Sequence, residues 1–138
     1  MSTIFTKIIN REIPAAIVYE DDSFIAFLDI TQANPGHTLL CTKKEYPNIF
    51  ELPIDILEKI FVIIAKLAKA INVAFKPAGI NILNNNGKAA SQSVFHYHIH
   101  IIPRYDDDKI KIDWPDHSQT YSKNDLEKRA NLIKSALL

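Results

Sequence analysis

The chain reads as an α+β fold: a five-stranded antiparallel sheet with one long helix and short flanking helices. Three observations lead there. Short apolar segments recur with tight polar turns between them, as hairpin-connected strands do. One long stretch, Ile54–Phe75, repeats apolar residues at helical spacing. Val94–Ile102 alternates histidine with apolar residues, is rich in β-branched and aromatic types, and is closed by Pro103, which is a strand pattern.

Taken in order, Ile4–Asn10 forms a short helix. Ile17–Glu20 and Ser23–Leu28 are strands separated by Asp21-Asp22, residues that turn the chain by bonding their own backbone. Thr31–Gly36 is a loop ended by Pro35-Gly36. His37–Thr42 is the third strand, Asn81–Leu83 lies in a fourth, Asn84–Ala90 is a polar loop and Val94–Ile102 is the fifth strand. In the long helix, Ile56, Ile60, Ile63, Ile64, Leu67 and Ile71 share a face, and Leu57, Phe61, Val62 and Ala65 widen it. Glu58, Lys59, Lys66 and Lys69 interrupt the apolar surface, so the helix does not suit a membrane span. An arc this broad is buried on two sides, against its own sheet alone or against a second copy as well. In so small a domain a second copy is the expectation. Beyond Arg104 comes an acidic, turn-rich stretch holding Asp106–Asp108 and Trp114, where the Trp either folds over a site or anchors on the surface. An amphipathic helix over Asn124–Leu138 follows, started by Ser122 or Asp125.

At 138 residues the chain is expected to be a single domain, 1–138. Lys+Arg and Asp+Glu are both 16, so no basic field recruits nucleic acid. No apolar leader with a cleavage site opens it. One Cys excludes an intrachain disulfide and fits a reducing cytoplasm.

His96, His98 and His100 fall on one face of the fifth strand, with Phe95, Tyr97, Ile99 and Ile101 on the other. Three of the five histidines therefore share one wet face. Three readings compete. The first is a strand whose polar face happens to be histidine. The second is a metal site, because His-x-His pairs on strands ligate zinc. Against it, His96 and His100 lie roughly 13 Å apart at ~3.3 Å per residue, and a single Cys provides no Cys-x-x-Cys pair. The third is a row of imidazoles around a reactive phosphate, one attacking and its neighbours donating hydrogen bonds.

His96-Tyr-His-Ile-His-Ile-Ile102, continued by Pro103-Arg104, resembles the signature of the histidine triad (HIT) superfamily. So do Ile4–Pro14, Val18–Asp22, Phe27–Ile30, Asn34–Thr38, Asn85–Gly87 and Ser91–Val94, in the order of its Hint-like branch; the likeness covers about residues 4–104. The resemblance implies a HIT-like fold and a hydrolase acting at the α-phosphate of purine nucleotide derivatives. His98 would be the nucleophile that forms a nucleotidyl-imidazole, with a strand carbonyl accepting from its other nitrogen. His100 would donate to phosphate oxygens, and His37 resembles a fourth site histidine. Ser93 and Asn85 match polar residues around phosphate and leaving group, Ser91 and Gln92 their loop. Asp29 matches the ribose-binding acid, although capping Thr31 is its plain alternative. Phe5, Ile8, Ile13, Phe27, Ile30 and Leu39 match the apolar base pocket. Homodimerisation through helix 54–75 is implied too.

Two departures stand out. The family commonly has Gly where Ser91 stands, a position needing positive φ or close backbone approach. Zinc-bearing branches have His where Glu45 stands, ligating metal with the first triad His and a cysteine pair. With Glu45 and no such pair, no zinc and no cofactor are expected, and Glu45 is expected to pair directly with His96 and raise its pKa. Three functions follow: a nucleoside phosphoramidate hydrolase, also cleaving aminoacyl-adenylate-like bonds; a diadenosine polyphosphate hydrolase; or a non-enzymatic purine-nucleotide-binding protein. The N-terminal segment favours the first.

Overall fold

Period-two side-chain alternation decides which way the sheet faces. In the computed structural model, which describes residues 2–137, the elements are α1 (Ile4–Ile9), β1 (Ile17–Glu20), β2 (Phe24–Leu28), β3 (Thr38–Thr42), α2 (Ile54–Phe75), β4 (Gly79–Leu83), β5 (His98–Arg104) and α3 (Lys123–Ala136), with single 3-10 turns at Ile49–Glu51 and Lys88–Ala90. The strands form one antiparallel sheet in the order β1-β2-β3-β5-β4. This is the α+β fold the sequence predicts.

The register sets Ile25 opposite Cys41 and Phe27 opposite Leu39, while Cys41 faces His98 and Leu39 faces His100. Opposed residues share a face, so the second and third triad histidines stand with Ile25, Phe27, Leu39 and Cys41. Phe5 and Ile8 of α1 cover that layer. Phe24, Ala26, Leu40, Ile99 and Ile101 take the other face and meet α2. The buried residues of α2 are Ile56, Ile60, Ile63, Ile64, Leu67 and Ile71, the stripe read from the sequence. The widening residues Leu57, Phe61 and Val62 remain exposed.

Two boundaries differ from expectation. β3 starts at Thr38, because the His37 amide turns back to the Asn34 carbonyl at 3.1 Å. β5 starts at His98 rather than Val94 and runs on to Arg104. Phe95 is exposed rather than in the core. Upstream of β5 the Tyr97 amide bonds the Tyr46 carbonyl at 2.6 Å, drawing this stretch toward the loop after β3. Pairing with β3 ends at Ile101, so Pro103 sits where β4 alone flanks the strand and a missing N–H is tolerated.

The chain divides into two compact units, one reaching to Asp108 and one beginning at Lys109. In the second unit, α3 opens with a capping box: the Ser122 hydroxyl accepts from the Asp125 amide, and the Asp125 carboxylate accepts from the Ser122 amide. Of the helix expected to end at Leu138, that last residue lies outside the described residues.

The loop from Asp29 to His37 is tied from within. Gln32, itself at φ 42°, donates to the carbonyls of Asp29 (2.6 Å) and His37 (2.7 Å) and accepts from the Gly36 amide (2.9 Å). Asn34, buried, donates to the Pro103 carbonyl and to Asp108, both at 2.8 Å. Gly36 sits at φ +96°, and a Cβ there would lie 3.0 Å from Phe75 and from Pro103. Both the conformation and the space demand glycine. Gly36→Ala is therefore expected to destabilise the protein by about 1–3 kcal/mol, read as a lower denaturant midpoint in urea unfolding.

Candidate active site

Between α1 and the histidine face of the sheet lies a cavity of about 490 Å³. Phe5 and Ile8 of α1, Ile13 beyond it, Phe27 of β2 and Leu39 of β3 make its apolar walls. Ile30 stands at its edge, 98% exposed. All six apolar residues singled out from the sequence line it, and Ile4, Pro14, Ala15, Ala16, Leu28 and Val94 line it too. The polar lining is Asp29, Gln32, Ser93, His98 and His100. His37, His96, Asn85, Ser91 and Gln92 are not among its lining residues.

His98 is buried, with Phe5 edge-on to its ring at 4.9 Å between centroids. Its Nδ1 lies 2.7 Å from the His96 carbonyl. A carbonyl only accepts, so Nδ1 carries the proton and Nε2 keeps its lone pair. Burial holds the pKa of His98 below the ordinary value, with neighbouring His96 adding to the effect. At neutral pH the ring is uncharged, with a nucleophilic nitrogen left free of that hydrogen bond.

The same reasoning fixes the next two rings. The Ala33 amide donates to His37 Nδ1 at 3.2 Å. His37 therefore carries its proton on Nε2 and donates to His100 Nδ1 at 2.9 Å. His100 is left with its proton on Nε2, a donor. Burial, then His98 and His37 beside it, push the His100 pKa down to about 4. Asp29 uses Oδ1 to accept from the Thr31 amide (2.8 Å) and hydroxyl (2.7 Å), the capping role weighed from the sequence. Its Oδ2 lies 3.6 Å from His37 Nε2.

His96 departs from expectation. It is fully buried, on the α1 side and ahead of β5, and both ring nitrogens are taken. Nε2 donates to the Thr42 carbonyl at 2.6 Å, so Nδ1 accepts from the Thr3 hydroxyl at 2.8 Å. Glu45 does not pair with it. That carboxylate accepts from the Thr6 hydroxyl and from the Thr3 amide, the latter at 3.3 Å. The pKa of His96 is lowered rather than raised, because burial outweighs the Thr42 carbonyl and the more distant charge of Glu45.

The loop ahead of β5 is held by side chains. Gln92 is buried, accepting from the Gly87 amide (2.7 Å) and donating to the carbonyls of Pro47 (2.5 Å) and Val94 (3.1 Å). Ser91 adopts φ 68°, ψ 22°, the left-handed conformation for which glycine is the easy choice. Asn85 donates to the Ser91 carbonyl at 3.5 Å. Asn84, which the sequence did not single out, donates to the His98 carbonyl at 3.0 Å and accepts from Asn86 at 2.7 Å. Its place in an Asn-Asn-Asn run was the one available signal.

Two groups of side chains carry metal-type donors. Glu45 and His96, where the sequence raised the question of zinc, are both committed to hydrogen bonds, and the lone Cys41 is buried within β3. These residues do not fit a tetrahedral N/S site. Asp29, His37 and His100 bring ligand atoms within 4.8 Å of one another. There the Ala33 amide keeps the His37 proton on Nε2, the atom an ion would need.

The HIT domain family model matches residues 10–107. "Protein hit" of Bacillus subtilis is 45% identical over 135 residues, covering 97% of this chain and 93% of the relative. "Adenylylsulfatase HINT3" of Arabidopsis thaliana is 35% identical over 134 residues, covering 97% of this chain and 66% of its own. A crystal structure of a HIT-family member from Bacillus subtilis superposes with a TM-score of 0.94 at 45% identity, over 98% of this chain and 96% of that one. With its triad, its sheet and these relatives in agreement, the chain belongs to the HIT family.

Proposed function

We propose that the protein hydrolyses purine nucleotide derivatives at the α-phosphate, nucleoside phosphoramidates and aminoacyl-adenylate-like compounds among them, through a nucleotidyl-His98 intermediate. One observation carries this reading: the His96 carbonyl holds the His98 proton on Nδ1, so a neutral ring keeps its lone pair on Nε2. His98 Nε2 attacks phosphorus, the bond to the leaving group breaks, and the leaving group departs with a proton taken from solvent. Water then attacks phosphorus, the phosphorus–Nε2 bond breaks, and the mononucleotide and the water's proton are released, which restores the neutral ring. His100 Nε2–H donates to a phosphate oxygen as charge builds. Ser93, exposed at the cavity, and Asn85 serve phosphate and leaving group. Asp29 Oδ2 accepts from the ribose hydroxyls. The base lies among Phe5, Ile8, Phe27 and Leu39, a slot with few polar contacts to tell bases apart. The name of the Arabidopsis relative supports an adenylyl group joined to a small leaving group.

We also infer a homodimer across α2. Phe61 and Val62 are 66% and 56% exposed, an apolar surface of the kind that marks an interface. Phe61→Glu is expected to give monomers in micromolar sedimentation runs while the protomer keeps its fold. Ile64, 4% exposed, belongs to the protomer's own core, and a charge there would unfold it.

Side-by-side turnover of adenosine phosphoramidate and diadenosine tetraphosphate tests the substrate class, and preference for the dinucleotide sinks it. His98→Asn should reduce turnover at least about 1,000-fold with nucleotide affinity little changed, and label trapped on any residue other than His98 would refute the intermediate.

Acid should act on stability as well as on rate. The folded pKa values of His37, His96, His98 and His100 lie below the ordinary value of 6.5. The unfolded chain therefore binds more protons as pH falls below 6.5. Stability is fully present above that pH and is lost on descending toward the His100 value of about 4. Urea midpoints at pH 7 and pH 5 check this; an equal or higher midpoint at pH 5 contradicts it.

A further inference from the structure

His96 lies just ahead of β5, and among the described residues its own backbone takes no part in the sheet ladder. Its carbonyl nonetheless sets the protonation of His98. What anchors the residue is its ring, held at Nε2 by the Thr42 carbonyl and at Nδ1 by the Thr3 hydroxyl. Thr3 is also the N-cap of α1, accepting from the Thr6 amide at 3.2 Å. The Thr6 hydroxyl donates to Glu45.

Proton counting gives this chain of bonds a direction. The Thr3 hydroxyl proton goes to His96 and the Thr6 hydroxyl proton goes to Glu45. The Thr3–Thr6 oxygen contact at 3.2 Å therefore needs neither. A carboxylate can only accept, so Glu45 fixes where Thr6 points. Without it, the contact between the hydroxyls can run either way, and in one of them Thr3 withdraws its proton from His96. The ring would then lose its donor and its single orientation. The same cap holds Phe5, whose ring lies edge-on to His96 and His98, so the base cavity and the nucleophile share this anchor.

We propose that Thr3, Thr6 and Glu45 are positioning residues for the nucleophile: they lock the His96 ring, aim its carbonyl at His98 Nδ1 and so keep the lone pair on His98 Nε2. The proposal rests on His98 being the nucleophile.

The test compares full-length wild type with Thr3→Val, Thr3→Ser and Glu45→Ala. It reads ring ¹⁵N shifts of labelled histidines and the pH profile of adenosine phosphoramidate turnover. In Thr3→Val, His98 should pass from a single Nδ1–H tautomer to a mixture. Its kcat should fall about 10-fold or more, a larger change than any rise in KM, because Thr3 itself does not line the cavity. The acid limb should move to higher pH, since the freed His96 Nδ1 can take a proton. Thr3→Ser should restore all three readouts, and Glu45→Ala should fall between. A Thr3→Val protein that melts earlier but keeps the His98 tautomer and its kcat would reduce Thr3 to a helix cap and overturn the proposal. Should Thr3→Val not fold, Glu45→Ala leaves both cap hydroxyls in place, and an unchanged His98 tautomer and kcat in that variant would overturn the proposal equally. A tautomer response without any adenylylated His98 in trapping experiments would overturn the proposed function and leave the ring lock standing.

Discussion

The hydrogen bond from His98 Nδ1 to the His96 carbonyl is the constraint on which the site depends. Removing it would leave the imidazole free to carry its proton on either nitrogen, with the lone pair on Nε2 only part of the time. Keeping it requires His98 at the first position of β5 and His96 held apart from the ladder, its carbonyl turned back toward the ring. The sheet supplies the first condition through the pairing of His98 with Cys41. The buried His96 ring supplies the second. Burial then keeps both rings neutral at physiological pH, because an isolated charge in that layer would be poorly solvated.

A second set of bonds repeats this logic for His37 and His100. The Ala33 amide directs the His37 proton to Nε2, His37 directs the His100 proton to Nε2, and Gln32, Asn34 and Gly36 hold the loop that presents His37. Two backbone groups, one carbonyl and one amide, thus determine the protonation of three imidazoles. One ring ends as an acceptor toward the cavity and its neighbour as a donor. No charged side chain is needed to make that difference, although Asp29 lies 3.6 Å from His37.

Much of this was legible from local pattern. The inward stripe of α2 follows from helical spacing, and the shared side of His98 and His100 follows from strand alternation. The apolar residues of α1, β2 and β3 that line the cavity were named from the order of the motifs. What pattern could not reveal is long-range. Thr3 meets His96 across 93 positions, and Thr3 meets Glu45 across 42. A threonine at a helix start reads as an ordinary cap, and nothing in its spacing announces an imidazole. The expected Glu45–His96 pair failed for that reason: two hydroxyl groups stand between them, invisible to one-dimensional reasoning. The start of β5 shifted because the Tyr46 carbonyl, distant in sequence, captures the Tyr97 amide.

The cavity lining has one further consequence. Among the described residues no Lys or Arg contributes to it, and its polar groups are uncharged except for Asp29. A phosphate arriving there would meet neutral donors rather than a cationic field. Its approach would gain no attraction from the cavity lining itself. The same poverty of positive charge would apply on departure. With no cation in the lining, a departing phosphate would have no ion pair to break.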